Sequence, residues 1–284
     1  MNANIKTRLI VLAAFLLPLM GMAQTAQSGQ PQVELPLLNS STITINGTFV
    51  PSTTVQTDVA TPVVLPDTCQ FSLSLAPGQA AVEARQVSDI VVDSATKGCS
   101  AQFEVGEPQE GIALTPAELA NQAKTTVNSS SGTPAQTGSA PQSLLAVPQV
   151  VQSAGFLKTW WIDPINITVN SVENSTTWRW SGTGHCVTGI LGGQILTWFT
   201  GSGWVLVSDS WQNTFNCSET TSASTVLYKN GIFCAFFSTF ARYAPNKVNG
   251  LQNGTLVGTW NDTVFGSVCV NLLRFRMLLR RTQN

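Results

Sequence analysis

Few residues in this chain could do bond-making chemistry. There is one histidine, His185, in Gly182-Thr183-Gly184-His185-Cys186. A histidine beside a half-cystine suits the general base of a chymotrypsin-type protease, but that base needs a serine in a glycine-rich turn that builds an oxyanion hole. Ser208-Asp209-Ser210-Trp211 lacks those glycines, and no Gly-x-Ser-x-Gly elbow occurs. His185 therefore reads as a loop residue beside a disulfide, and no catalytic residue is assigned. Paired carboxylates could hydrolyse glycosides. The second half offers Asp163, Glu173, Asp209, Glu219 and Asp262. Asp163 precedes Pro164 and suits a turn. Asp209 shares a strand face with Val205, Val207 and Trp211, and the other three fall near expected turns. A secreted hydrolase with glycosidase-like carboxylate chemistry is the alternative reading, not the first.

The side chains better suited to recognition are aromatic. Trp160, Trp161, Trp178, Trp180, Trp198, Trp204 and Trp211 lie between Phe156 and Cys217, and Trp260 follows. Indole rings left in water can stack on sugars, and Trp160, Trp161, Trp178 and Trp180 are the candidates for such a face. Trp on strands is ordinarily core. Adjacent Trp160 and Trp161 must nevertheless point to opposite faces of any regular strand. A second candidate is a basic stripe, Arg274, Arg276 and Arg280, opposite Leu273, Phe275, Met277 and Leu279. It could meet an anionic glycan or a membrane, although arginine on an outer strand face also guards against edge pairing. Asn-x-Ser/Thr patterns at Asn46, Asn166, Asn174, Asn216, Asn253 and Asn261 matter only in a host that glycosylates them.

No Cys-x-x-Cys pattern and no histidine cluster accompanies the six cysteines, so neither metal nor cofactor is expected. Pairing sequence neighbours gives Cys69–Cys99, Cys186–Cys217 and Cys234–Cys269, with exchange among the last four left open. Each bridge closes a loop that stabilises by about 3–4 kcal/mol in the chain-entropy model.

Export fits these cysteines. Lys6 and Arg8 precede the apolar run from Leu9 to Met20, and Gly21-Met22-Ala23 suits signal cleavage before Gln24. The run carries Pro18 and falls short of the roughly 20 residues of a membrane span, and no later stretch is longer. The expected location is extracellular. Charged residues are only 10% of the chain, against about 25% in an average soluble protein. Residues 24–154 carry 3 basic and 10 acidic residues, and residues 155–284 carry 9 and 5. Neither balance suits nucleic acid.

The elements that must position these residues are strands. Residues 1–23 read as the signal peptide and 24–62 as a flexible segment with a possible hairpin at Asn46-Gly47. Residues 63–105 alternate as a small β-unit closed by Cys69 and Cys99. Residues 106–154 resemble a linker, with one short helix from Thr115 to Lys124 and a polar stretch from Ser129 to Gln142. Residues 155–284 read as a Trp-rich antiparallel barrel or sandwich of eight or nine strands, with its clearest hairpin at Asn230-Gly231. The sequence thus predicts an all-β, disulfide-stabilised, secreted protein. Its expected role is a non-enzymatic binding module for carbohydrate or a cell-surface protein, with a structural envelope protein as the other non-enzymatic option.

Overall fold

The computed structural model describes residues 35–55, 62–109, 150–182, 184–234 and 237–282. The expected leader, the short helix and the polar stretch lie outside them. Within them the chain is all strand apart from two 3-10 turns and loops. The first half supplies β1 (Leu38–Val50), β2 (Thr53–Val55), β3 (Val63–Leu65), β4 (Thr68–Leu75), β5 (Ala81–Gln86), β6 (Val91–Asp93) and β7 (Gly98–Glu107). The second half supplies β8 (Val151–Ile162), β9 (Thr168–Trp180), β10 (Thr188–Trp198), β11 (Trp204–Phe215), β12 (Glu219–Cys234), β13 (Phe237–Leu251), β14 (Leu256–Phe265) and β15 (Arg274–Thr282).

Twelve of these strands form one antiparallel path, β10-β9-β8-β15-β5-β7-β1-β4-β14-β13-β12-β11. Its two ends nearly meet. Phe215 of β11 lies against Gly189 of β10, and Asn213 lies against Gly192. With its amide oriented to donate to the Thr221 carbonyl (2.8 Å) and accept from the Gly192 N–H (3.3 Å), Asn213 bridges the gap.

This topology corrects the expected architecture. The second half does hold eight strands, but they form two runs of four that do not close on each other. Strands β14 and β15 are consecutive in sequence, yet β5, β7, β1 and β4 stand between them in the sheet. The expected separate N-terminal unit is therefore part of the barrel wall. Its composition explains this: Phe71 and Phe103 are too few to make a core alone. Both instead pack on Trp260 with ring centroids 5.9 Å away, and Trp260 stacks on Phe275 at 6.3 Å. Phe275 in turn meets Trp161 edge-on at 5.3 Å. The alternation of β15 holds as expected: Leu273, Phe275, Met277 and Leu279 are buried in the main core.

Asn253-Gly254 turns between β13 and β14 as its chemistry suggests, but neither Asn46-Gly47 nor Asn230-Gly231 makes a hairpin turn. β1 runs straight through Asn46-Gly47, with Gly47 opposite Cys99 of β7 and Phe49 opposite Cys69 of β4. Cys69 and Cys99 belong to strands on either side of β1, and their disulfide passes over Gly47. A Cβ there would lie 2.2 Å from the Cys69 Sγ, so glycine is needed for space rather than for a turn. β12 likewise continues past Asn230-Gly231 to Cys234, which pairs with Phe237 of β13. All three disulfides join sequence neighbours: Cys69–Cys99, Cys186–Cys217 and Cys234–Cys269.

Strands β8 and β9 lie flat on β12 and β13, and polar side chains bridge the two layers. The Asn174 amide donates to the backbone carbonyl and the Oδ1 of Asn246 (2.9 and 2.7 Å), and Ser224 donates to Asn174 Oδ1 (2.7 Å). Asn246 donates to the Thr159 hydroxyl (2.7 Å). The hydroxyls of Tyr228 and Tyr243 donate to the carbonyls of Ser171 and Asn170 (3.0 and 3.2 Å). The barrel is thus flattened on this side and filled by aromatic rings on the other.

Two outcomes test this account. A chain beginning at Val150 should show no cooperative unfolding by circular dichroism, because β14 and β15 each lose a partner strand. Gly47→Ala should leave free thiols at Cys69 and Cys99, measured by thiol labelling of the folded protein. The same substitution in a Cys69→Ala/Cys99→Ala background should cost less stability, because the 2.2 Å clash with sulfur is gone and the 2.7 Å approach to the Gln70 carbonyl oxygen remains.

Candidate functional site

The structure spreads the candidate catalytic groups apart. His185 is exposed, and its N–H donates to the Gly182 carbonyl at 3.3 Å in the turn before the Cys186–Cys217 bridge. The carboxylate of Asp163 accepts from the N–H groups of Ile165 and Ile167 (3.0 and 2.8 Å) and so builds its own turn. Glu173 sits on β9 opposite Lys158 of β8. Asp209 is exposed on β11. Glu219 accepts from the Asn249 amide at 2.5 Å, where β12 begins. These groups occupy different strands and opposite ends of the barrel, which is no arrangement for paired-carboxylate hydrolysis.

Asp262 stands apart. It is 5% exposed, and neither carboxylate oxygen has a hydrogen-bond partner. It faces the interior opposite Tyr243 in the β13–β14 ladder. Burial pushes its carboxyl well above the ordinary value, and the Thr159 hydroxyl and the Arg242 guanidinium oppose that only in part. An acid so enclosed and facing the barrel core is a packing group, without a second carboxylate to work with. Burial also pushes the phenols of Tyr228 and Tyr243 up.

The tryptophans chosen for ring stacking are mostly enclosed. Trp161 and Trp178 lie in the main core, where Trp178 Nε1 donates to the Leu251 carbonyl at 3.2 Å and the ring packs on Gly250. Trp160 does point to the other face, as its neighbour requires. There it is buried with Phe156, Ile162 and Leu278, and the Lys158 ammonium lies 5.9 Å from its ring centroid. Trp180 is half-buried, bonded through Nε1 to Ser153 (3.0 Å) and seated against Gly254. These four rings do not form a common exposed face.

Nor do the three arginines act as one stripe. Arg274 is exposed and donates to Asn166 Oδ1 and to the Asp163 carbonyl, tying β15 to the β8–β9 turn. Arg276 is buried beside Glu83 at 3.7 Å, and Glu83 also pairs with Arg85 at 3.0 Å. Arg280 is half-buried opposite Phe156 of β8. A shallow depression of about 320 Å³ lies between β1, β6 and β7, around Asn46, Val91, Asp93 and Ser100. Its one carboxylate, Asp93, is held by the N–H groups of Ala95 and Thr96 and by the Thr96 hydroxyl. Among the described residues no cluster of histidine, cysteine and acidic groups could hold a metal ion.

What the structure assembles instead is an apolar tip at one end of the barrel. Three parts meet there: the β10–β11 connection with its 3-10 turn Thr200–Ser202, the paired ends of β12 and β13 at Cys234 and Phe237, and the β14–β15 connection with its 3-10 turn Val268–Leu272. The Cys234–Cys269 bridge joins the last two. Asn230 organises the approach, accepting on Oδ1 from the N–H groups of Ile232 and Phe233 (both 2.8 Å) and donating to the Ser202 carbonyl (2.7 Å). Thr239 and Ser267 share a hydroxyl hydrogen bond of 2.7 Å. Gly266 adopts φ +97°, and a Cβ there would lie 2.6 Å from the Ser238 carbonyl oxygen. On this frame Ile232 is 68% exposed, Phe237 59%, Val268 83% and Leu272 52%. Clustered large apolar groups left in water at one end of a protein mark an interaction surface. Sequence reasoning missed the tip because strand patterning places Ile232 and Phe237 on β12 and β13 but does not report that these strand ends are left uncovered. The available signal was an uncharged run from Gly231 to Phe240 with half-cystine Cys234 inside it.

Comparison with protein-family models, curated proteins and solved structures gives no match to this chain. Three disulfides and no free cysteine are compatible with an extracellular protein. No helix among the described residues is long and apolar enough to cross a membrane.

The buried acid gives a pH test. A carboxyl whose pKa rises on folding contributes stability that is complete below its unfolded value of 3.8 and is lost as pH rises through the folded value. Asp262→Asn keeps the shape without the ionisation. Its Tm by calorimetry should exceed wild type at pH 8, and the difference should shrink towards pH 4. An equal difference at both pH values would show that Asp262 does not hold its proton in the fold.

Proposed function

We propose that the protein is a secreted, non-catalytic binding module whose contact surface is the disulfide-stapled tip. The observation that carries this reading is the exposure of Ile232 and Phe237 at the ends of β12 and β13 and of Val268 and Leu272 on the 3-10 turn that Cys234–Cys269 joins to them. Loops with nothing to bury normally carry polar residues, so the apolar content here asks for a partner. The dispersal of the carboxylates and of His185 favours binding over hydrolysis. The enclosure of Trp160, Trp161 and Trp178 favours a contact through aliphatic side chains over sugar stacking on those rings. The partner belongs to the surface of a cell.

Binding of the purified, oxidised protein to cells of the producing organism, read by flow cytometry, tests the proposal. Two partly buried aliphatic contacts are worth about 2 kcal/mol, so Ile232→Ser/Val268→Ser should weaken binding at least tenfold while leaving the unfolding curve unchanged. Equal binding by the folded variant would remove the tip as the contact surface.

A further inference from the structure

We propose that the Cys186–Cys217 disulfide is a thiol-exchange site for small dithiols, and that it clasps the gap at which the barrel closes. Strands β10 and β11 end the twelve-strand path, and each has a ladder on one side only. They are consecutive in sequence and meet across the gap, yet among the described residues no ladder joins them. Side chains bridge them instead. Asn213 accepts from the Gly192 N–H at 3.3 Å. From β12, the Ser222 hydroxyl donates to the Gly193 carbonyl at 3.2 Å, and Ser224 accepts from Gln194 Nε2 at 2.9 Å. Bare backbone on β10 makes the approach possible: a Cβ at Gly189 would lie 3.0 Å from the Phe215 ring, and one at Gly192 2.5 Å from Asn213 Cγ. These few contacts stand where ten paired residues hold β10 to β9 and eleven hold β11 to β12.

Covalent bonds close both ends of the gap. At the tip, the connection through Thr200–Ser202 carries β10 directly into β11. At the far end β10 begins at Thr188 and β11 stops at Phe215. Cys186–Cys217 joins the residues just beyond them, and the Val187 N–H donates to the Cys217 carbonyl at 2.9 Å. Without the sulfur bond, that end is held by the glycine contacts and the side-chain bonds. Strands held so lightly are the part of a sheet that opens at the lowest free energy. β10 carries no charged residue, and β11 carries Asp209 alone. Neither edge has the lysines that keep an exposed strand from pairing with other chains. The clasp therefore decides whether those edges are available.

This bridge is also the accessible one. Cys186 and Cys217 are both exposed. Cys69 is 1% exposed, Cys99 8% and Cys234 8%. Exchange needs a thiolate to reach a sulfur, so exposed bridges are the labile ones. A dithiol's thiolate attacks the Sγ of one cysteine. The S–S bond breaks, a mixed disulfide forms, and the electron pair leaves on the other cysteine sulfur, which takes up a proton. The dithiol's second thiolate then displaces the first cysteine, which takes up a proton in turn. The bridge has gained two electrons and two protons, and the dithiol has become a cyclic disulfide.

Dithiothreitol added to the oxidised protein without denaturant tests this, with iodoacetamide trapping and peptide mass spectrometry at each time point. Cys186 and Cys217 should become alkylated about tenfold faster than the other four cysteines. Hydrogen exchange on the protein reduced at that bridge alone should quicken about tenfold in residues 188–198 and 204–215 and stay unchanged in β1, β4 and β7. Cys186→Ser/Cys217→Ser should show the same fast exchange in those two strands with and without dithiothreitol. Reduction of this bridge no sooner than the others would overturn the exchange site. Slow exchange in β10 and β11 after reduction, or in the double variant, would overturn the clasp. Exchange that quickens equally in every strand would show that the bridge holds the whole barrel, and would overturn the clasp as well.

Discussion

The fold depends on closing strand edges. An unpaired edge exposes a row of backbone donors and acceptors that water must satisfy and that other chains can pair with. Strand β15 shows how this chain avoids that. It is the last strand in sequence and pairs with β8 from Arg274–Ile162 to Thr282–Ala154 on one side, and with β5 on the other. Strand β14 pairs with β13 on one side and β4 on the other. The second half alone would leave both strands open. The four N-terminal strands fill the gap between them, and their aromatic rings complete the core on the same visit. Closure therefore couples the two ends of the chain and places most pairings far apart in sequence, a topology that folds slowly.

Closure alone would not fix how the flattened side packs. Apolar layers can slide at small cost, whereas hydrogen bonds are directional. The seam of Asn174, Asn246, Ser224 and Thr159 locks β8 and β9 over β12 and β13 in a single register. Such a seam is stable only when its members are satisfied. Beside it, Asp262, the Trp161 indole N–H and the Asn170 amide nitrogen have no hydrogen-bond partner. Burial raises the Asp262 pKa and so favours its neutral form, and a carboxyl is far cheaper to enclose than a carboxylate. The seam thus provides specificity of packing while the aromatic belt provides most of the burial.

Period-two patterning made the all-β class, the inward face of β15 and the sequence-neighbour disulfides legible. The failures share a cause. Asn46-Gly47 and Asn230-Gly231 have the residues of a tight turn, but the tertiary structure used them for other ends. Gly47 is bare so that a disulfide can cross β1, and Asn230 caps the approach to the tip. Local propensity cannot report a sulfur contributed by residues on two other strands. The N-terminal strands looked like a separate unit because cystine closure is visible in sequence, whereas insertion between β14 and β15 is not. Trp160 and Trp161 were rightly assigned to opposite faces, but alternation says nothing about whether an outer face is covered.

The tip presents a different balance from the rest of the molecule. Elsewhere order follows from burial, but exposed Ile232 and Val268 gain little from the body they project from. Their order has to come from elements that do not need burial: the Cys234–Cys269 bond, the Asn230 bonds to Ile232 and Phe233, and the φ +97° of Gly266. A loop held in this way keeps its apolar side chains extended instead of folding them back on the barrel. Its conformational entropy is already spent before any contact forms, so more of the burial free energy survives as affinity. The covalent link is therefore best understood through what it displays. Its position, between the ends of β12 and β13 and the 3-10 turn before β15, ties the oxidised state of the protein to the readiness of this exposed apolar end.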